Sequence, residues 1–266
     1  MIADEILGSL ADEFHVASRN LAGQPYGPKE HIASYDSRFH VMAAECFTPE
    51  NAARGFSLKP QPALASMPLG QAILARSSSR GFGPQPLSAE QLATLLFLGN
   101  GVRQVSTAGE SVHLQRNVPS AGNLGSVEVF PIVMNVADIP PGIYHYDSAR
   151  QELSCLKTGQ FRTWFQKLVT LQLEFASAAV ALILTCALGR LGSKYGLRGY
   201  RLGLMDVGHV SQNLYLAATS LGLPVCASAG FVDDELDAAL GVDGLERASM
   251  LAVLIGSAPE GGENRS

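Results

Sequence analysis

The sequence predicts an α+β protein, with a mainly antiparallel sheet packed by helices. Helix and strand patterns mix along the 266 residues without a regular strand–helix–strand rhythm. No GxGxxG follows a strand pattern, which disfavours a dinucleotide-binding parallel unit. Hydrophobic residues make up 47% and charged residues only 16%. That supplies one large core and suits a surface partly buried in a second copy.

The elements follow in order. Ile6, Leu10 and Phe14 recur at helical spacing, so residues 1–20 read as a helix. Residues 20–67 are rich in Gly, Pro and Ala and read as loops and short elements. Leu69 to Ala75 reads as a short helix, with Pro68 tolerated in its first turn. The next helix starts at Ser88, where Gln91 closes a capping box and Leu87 can staple to Leu92, and it stops near Gly99. Residues 126–135 read as a strand in which Pro131 marks a bulge or an edge.

Pro140-Pro141-Gly142 forms a turn into a hairpin of 143–146 and 152–156 around Asp147 to Arg150. Residues 161–173 suit an amphipathic helix, and Ala178 to Leu184 a buried strand. Arg201 to Leu221 reads as the longest helix, with Leu204, Val207, Leu214, Ala218 and Leu221 on its apolar face and Gly222 at its end. Pro224 to Ser228 is a strand, Asp233-Asp234-Glu235 a helix start, and Met250 to Ile255 the last strand.

Composition narrows the function. The net charge is −5 with no long Lys/Arg run, so a nucleic-acid partner is not expected. The apolar run Phe175 to Leu188 is too short to span a bilayer, and the acidic N-terminus lacks the basic start of a signal peptide, so no membrane partner is expected either. Cys46, Cys155, Cys186 and Cys226 are scattered, with neither zinc spacing nor a disulfide framework. No metal site is expected, and a reducing cytoplasm is the simplest setting.

Four clusters carry chemistry. Arg76, Ser77, Ser78 and Arg80 place cations and hydroxyls where a phosphate could sit, though the run also fits a solvated helix end. Pro119, Ser120, Ala121, Gly122 and Asn123 let a flat ligand approach the backbone, though the stretch also fits an ordinary turn. Lys194-Tyr195 could form a base, the ammonium favouring phenolate in its neighbour, and it also fits a basic loop. His209, Gln212 and Asn213 form a polar stripe one helical turn long.

The order of these segments carries more than each alone. ARSSSRGF at 75–82, PSAGNL at 119–124, PPGIYHYD at 140–147, the long run 194–223 and ASAGFVDDELDAALGVDG at 227–244 resemble the nitroreductase superfamily. The resemblance is to its peptide azoline dehydrogenase branch, the SagB/McbC-type thiazole- and oxazole-forming oxidases. It covers roughly residues 70–257, leaving 1–69 as an N-terminal extension of helix and loops and 258–266 as a flexible tail.

The resemblance implies a nitroreductase-like fold and an interlocked homodimer with FMN at the subunit interface. It assigns Arg76, Ser78, Arg80 and, more weakly, Ser77 to the phosphate and ribityl chain. Pro119, Ser120, Ala121 and Asn123 fall along the isoalloxazine, and Gly230 in a loop near the cofactor. Lys194 and Tyr195 are the catalytic pair. The implied reaction oxidises a thiazoline or oxazoline in a ribosomal precursor peptide, beside a cyclodehydratase. Tyr195 is the base, its pKa lowered by Lys194, and dioxygen reoxidises the flavin. With the roles divided the other way, Lys194 is the base and Tyr195 a hydrogen-bond donor. Two departures stand out: Leu124-Gly125-Ser126 where the family often has Leu-Tyr-Pro, and Asp206 where Glu is common. Alternatives are a general NAD(P)H-dependent nitroreductase and a non-catalytic scaffold subunit of a peptide-modification complex.

Overall fold

A computed structural model describes residues 53–108, 111–169 and 177–259, together with 10, 13–19, 42 and 47. Its centre is a seven-stranded sheet built from β1 (Ala53–Ser57), β4 (Val127–Val133), β5 (Gly142–Asp147), β6 (Glu152–Thr158), β7 (Val180–Cys186), β8 (Val225–Ser228) and β9 (Ala248–Ile255). The order across the sheet is β1-β6-β5-β4-β7-β9-β8, and every neighbouring pair is antiparallel. This is the α+β sheet that the sequence predicts. β2 (Val102–Ala108) and β3 (Ser111–Arg116) form a separate two-stranded ribbon.

The sheet is apolar on both faces. Along β7 all seven residues are buried. Leu182 and Leu184 join one core with Leu92, Leu95, Val207 and Leu214, while Ala181 and Ile183 join another with Phe165, Leu236 and Leu240. Alternation sends successive side chains to opposite faces. Helices α2 (Ala89–Asn100) and α5 (Arg198–Ser220) therefore cover one face, and α3 (Arg162–Leu168) and α6 (Asp233–Leu240) the other.

Local chemistry sets the helix ends. The Ser88 side chain accepts from Gln91 N at 3.1 Å while Gln91 Oε1 accepts from Ser88 N at 2.9 Å, completing the capping box of α2. Gly222, at φ +70, closes α5, and Leu223 N donates back to Ala218 O at 2.9 Å. Three acidic residues occupy the first turn of α6. Helix α1 (Leu69–Ala75) packs against α5.

The structure differs from the sequence reading at several points. β4 is interior rather than an edge and pairs with β7 in unbroken register through Pro131↔Leu182. Pairing of β4 with β5 begins only at Ile132, immediately after the proline that lacks an N–H. Leu204 lies on the exposed side of α5, whereas Val207, Leu214 and Ala218 are buried. The ribbon β2–β3 and strand β1 were not anticipated; β1 brings part of the 1–69 segment onto the sheet edge. A further helix, α4 (Leu188–Tyr195), stands where a strand flank and loop were expected. Of the expected helix over 1–20, residues 13–17 are helical and most of the remainder lies outside the described residues. So do residues 171–173 of the expected helix over 161–173, and residues 260–266 of the tail. Among the described residues, no helix is long and apolar enough to cross a membrane, and no cluster of His, Cys, Asp and Glu could hold a metal ion.

Candidate active site

The turn after the ribbon is unusual backbone. Gly122, Asn123 and Gly125 all have φ near +58, the left-handed region. Glycine tolerates it freely, and asparagine better than most residues. At Gly122 the absence of a side chain also has a spatial reason. A Cβ there would overlap the Tyr195 hydroxyl and stand 2.8 Å from Lys194 Nζ. Helix α4 thus lays its last two side chains over the one backbone step that can receive them. The predicted pair and the predicted small-residue turn meet.

A buried carboxylate organises this turn. Asp206, on the core side of α5, accepts from Ser120 Oγ and Ala121 N, each at 3.1 Å, and from Ser126 Oγ at 2.6 Å. The Ser120 hydroxyl in turn accepts from Gly125 N at 2.9 Å. The two departures from the family pattern therefore belong to one network: Ser126 supplies a donor that proline lacks, and Asp206 receives it. Gly125 leaves room for Arg116, whose guanidinium a Cβ would overlap.

The electrostatics correct one expectation. The Tyr195 phenol is raised above its ordinary pKa, first by burial and then by the negative charge of Asp206. Lys194 lies with Nζ 5.5 Å from the Tyr195 ring centroid, and burial lowers its own pKa. The expected lowering of the Tyr195 phenol by Lys194 is not found: the shift runs the other way.

The phosphate-like cluster lies elsewhere. Past α1 the side chains of this run divide between two surroundings. Arg76 stacks 5.7 Å from the Tyr215 ring centroid, Ser78 Oγ is 3.0 Å from Tyr215 Oη, and Arg80 acts electrostatically on Cys226. Ser77 faces the other way, with Ser79, into a cavity of about 190 Å³ bounded by Thr219, Leu223 and Pro224. Gly230 follows β8, its N–H donating to Ser228 Oγ at 3.1 Å. Among the described residues, Arg76, Ser78 and Arg80 form no hydrogen bond or ion pair with 119–123. The two groups are strung along α5, from Asp206 to Tyr215, roughly 14 Å at 1.5 Å rise per residue. His209 and Gln212 are exposed, whereas Asn213 Nδ2 donates to Asn117 O at 3.3 Å and Leu98 O at 3.4 Å. That polar stripe does not act as one group.

The nitroreductase family profile matches residues 73–257. The chain belongs to the nitroreductase family. Among this family's curated proteins, it is 30% identical over 175 residues to MJ1384 of Methanocaldococcus jannaschii, a protein named as a nitroreductase. That match spans 66% of this chain and 85% of the relative. It is also 26% identical over 257 residues to the trifolitoxin-processing protein TfxB of Rhizobium leguminosarum bv. trifolii, spanning 91% and 69%. A solved structure, the Escherichia coli microcin synthetase McbBCD complex with truncated pro-MccB17 bound, matches with a TM-score of 0.60 at 21% identity. The match covers 94% of this chain and 92% of that one. The resemblance to the peptide-modifying branch agrees with these relatives.

Sequence reasoning missed Asp206 as the hub of the site, and missed Arg190 and Glu128 behind it. A signal for Asp206 was available. It falls on the stripe 203, 207, 210, 214 that faces the core, where a lone carboxylate needs donors.

Proposed function

We propose that the chain is an FMN-dependent dehydrogenase that oxidises thiazoline or oxazoline rings of a ribosomal precursor peptide to azoles. The observation that supports it most is the placement of Lys194 and Tyr195 over the bare backbone of Gly122. A general nitroreductase, which needs only a flavin and a nicotinamide donor, has no use for that pair.

The residues present fit FMN. Two cations and a hydroxyl, Arg76 and Ser78 at Tyr215 and Arg80 near Cys226, suit a phosphate and a polyol. Pro119, Ser120, Ala121 and Asn123 would flank the isoalloxazine, with Gly230 in the loop beside the phosphate end. Ser77 contributes least, given the face it occupies. FMN, when bound, supplies the acceptor for a hydride from the ring Cβ and passes the electrons to dioxygen.

This chain's own residues supply the proton chemistry. Lys194, its pKa lowered by burial, takes the proton from the ring Cα. Tyr195, its proton retained, donates a hydrogen bond to the charge that develops. Asp206 holds the turn beneath them through three donors. The residues from 70 to 257 form the catalytic body.

A homodimer fits the exposed apolar side chains Leu197, Tyr200, Leu204 and Met205 around α5, with Leu69, Ile73 and Leu74 on the adjacent α1. A cyclodehydratase would supply the azoline substrate. The buried free thiols Cys155, Cys186 and Cys226 suit a reducing cytoplasm.

The test compares two substrates. Lys194→Ala and Tyr195→Phe should each lower azoline oxidation by about 10²–10⁴-fold, the range of acid–base catalysis, Lys194→Ala the more. Reduction of a nitroaromatic by NAD(P)H should survive in both. Equal loss on both substrates would overturn the assignment.

A further inference from the structure

Arg190 sits one helical turn before Lys194 on α4. Its guanidinium donates to Gly125 O at 2.9 Å and Leu124 O at 3.3 Å, the two carbonyls that end the turn under Lys194 and Tyr195. The same guanidinium lies 3.6 Å from Glu128 on β4, and both side chains are only 8% exposed. Glu128 is held in its turn by Arg247 Nε at 2.7 Å.

Two more contacts fix the start of the helix. Ala187 N donates to Ser126 O at 2.7 Å and Gly189 N to Glu246 O at 3.0 Å. Gly189 leaves the space that the Glu246 carboxylate occupies. Helix α4 is therefore tied at its N-terminus to the sheet end and in its middle to the turn. Lys194 and Tyr195 project from its far end.

We propose that Arg190, anchored by Glu128, is a positioning residue that sets how Lys194 and Tyr195 approach the Gly122 turn. The fork geometry matters: one planar group spans two adjacent carbonyls and a carboxylate. A lysine at 190 could meet the carboxylate or a carbonyl, but not all three. Removing Arg190 does not strand a buried charge, because Arg247 still pairs with Glu128. The fold should therefore survive the substitution.

The consequence rests on the function proposed above but is separable from it. Among the described residues, Asp206 on α5 acts on Tyr195, Arg190 lies one turn back on α4, and Arg116 of β3 borders the turn at Gly125. When the helix end loosens, Lys194 meets more water, and its depressed pKa rises toward the ordinary lysine value.

The test uses full-length Arg190→Met and Arg190→Lys proteins loaded with FMN. Three quantities are measured: kcat and KM on an azoline peptide, FMN affinity by fluorescence quenching, and the pH dependence of Lys194 modification by an amine-reactive reagent, read by mass spectrometry. Arg190→Met should lower kcat by about 10²-fold, the scale of a 1 Å misplacement. KM and FMN affinity should stay within about twofold, by the uniform-binding criterion. Lys194 should titrate at higher pH in Arg190→Met, and Arg190→Lys should recover part of both effects. Unchanged kcat and unchanged Lys194 titration in Arg190→Met would overturn the proposal. So would a parallel loss of FMN binding in both variants. If wild-type protein fails to oxidise azolines while Lys194 still shifts in Arg190→Met, the functional reading falls and the positioning role stands.

Discussion

Gly122→Ala tests the meeting of helix and turn at its tightest point. The backbone there has φ +58, and an alanine in the left-handed region costs roughly 1–2 kcal/mol. In a chain of this size that lowers Tm by roughly 2–8 °C. The new methyl also overlaps the Tyr195 hydroxyl and crowds Lys194 Nζ at 2.8 Å, so both groups must shift. A displacement of about 1 Å carries a loss of about 10²-fold in rate. Gly241→Ala separates the two effects. Gly241 has φ +76 at the end of α6, and a Cβ there meets open space. Differential scanning fluorimetry should show similar losses of stability in the two proteins. Steady-state azoline oxidation should fall about 10²-fold in Gly122→Ala alone. Equal activities in the two variants would refute the claim that Lys194 and Tyr195 work where the structure puts them.

Three other outcomes follow from the same geometry. Asp206→Asn leaves one carbonyl oxygen to serve Ser120, Ala121 and Ser126, and should lose about 1–3 kcal/mol in urea denaturation. The pH–rate profile should rise on a limb below the ordinary lysine value of about 10.4, because Lys194 must lose its proton to act and burial lowers its pKa; Lys194→Arg should remove that limb. His145, buried against Phe47 and Phe130, has its pKa lowered to about 4, chiefly by burial, with Asp147 opposing and Arg247 reinforcing. Between pH 6.5 and 4 the unfolded chain takes up a proton that the native state refuses, so stability falls as pH falls, by about 2 kcal/mol at pH 5. His145→Phe should flatten that part of the stability–pH curve in denaturant titrations.

The sequence made the sheet and most helices legible because their signals are local. The Ser88–Gln91 box, the apolar run from Ala178 and the acidic start at Asp233 each announce an element without help from elsewhere. Helix α4 was hidden because Gly189, Gly192 and Gly196 dilute the Leu188, Leu191, Tyr195 spacing. Gly189 answers to Glu246, 57 positions away, which no local pattern reveals. The ribbon β2–β3 was missed because its strands are mostly polar and half exposed. At the site, residue types and their order singled out Lys194-Tyr195 and the Gly122 turn, which the fold brings together. What they could not show was the sign of the Tyr195 shift, which comes first from burial and then from Asp206 on another helix. Nor could they show that the phosphate-like cluster and the Gly122 turn lie apart along α5.

The central claim is that a bound flavin takes electrons from an azoline without a nicotinamide donor. Anaerobic mixing of the purified, FMN-loaded protein with a thiazoline-bearing peptide tests it directly. The account predicts bleaching of the oxidised flavin absorbance, formation of the thiazole in equal amount, and return of colour when air is admitted. A flavin that bleaches only with NAD(P)H, or a protein that takes up no flavin at all, would contradict it.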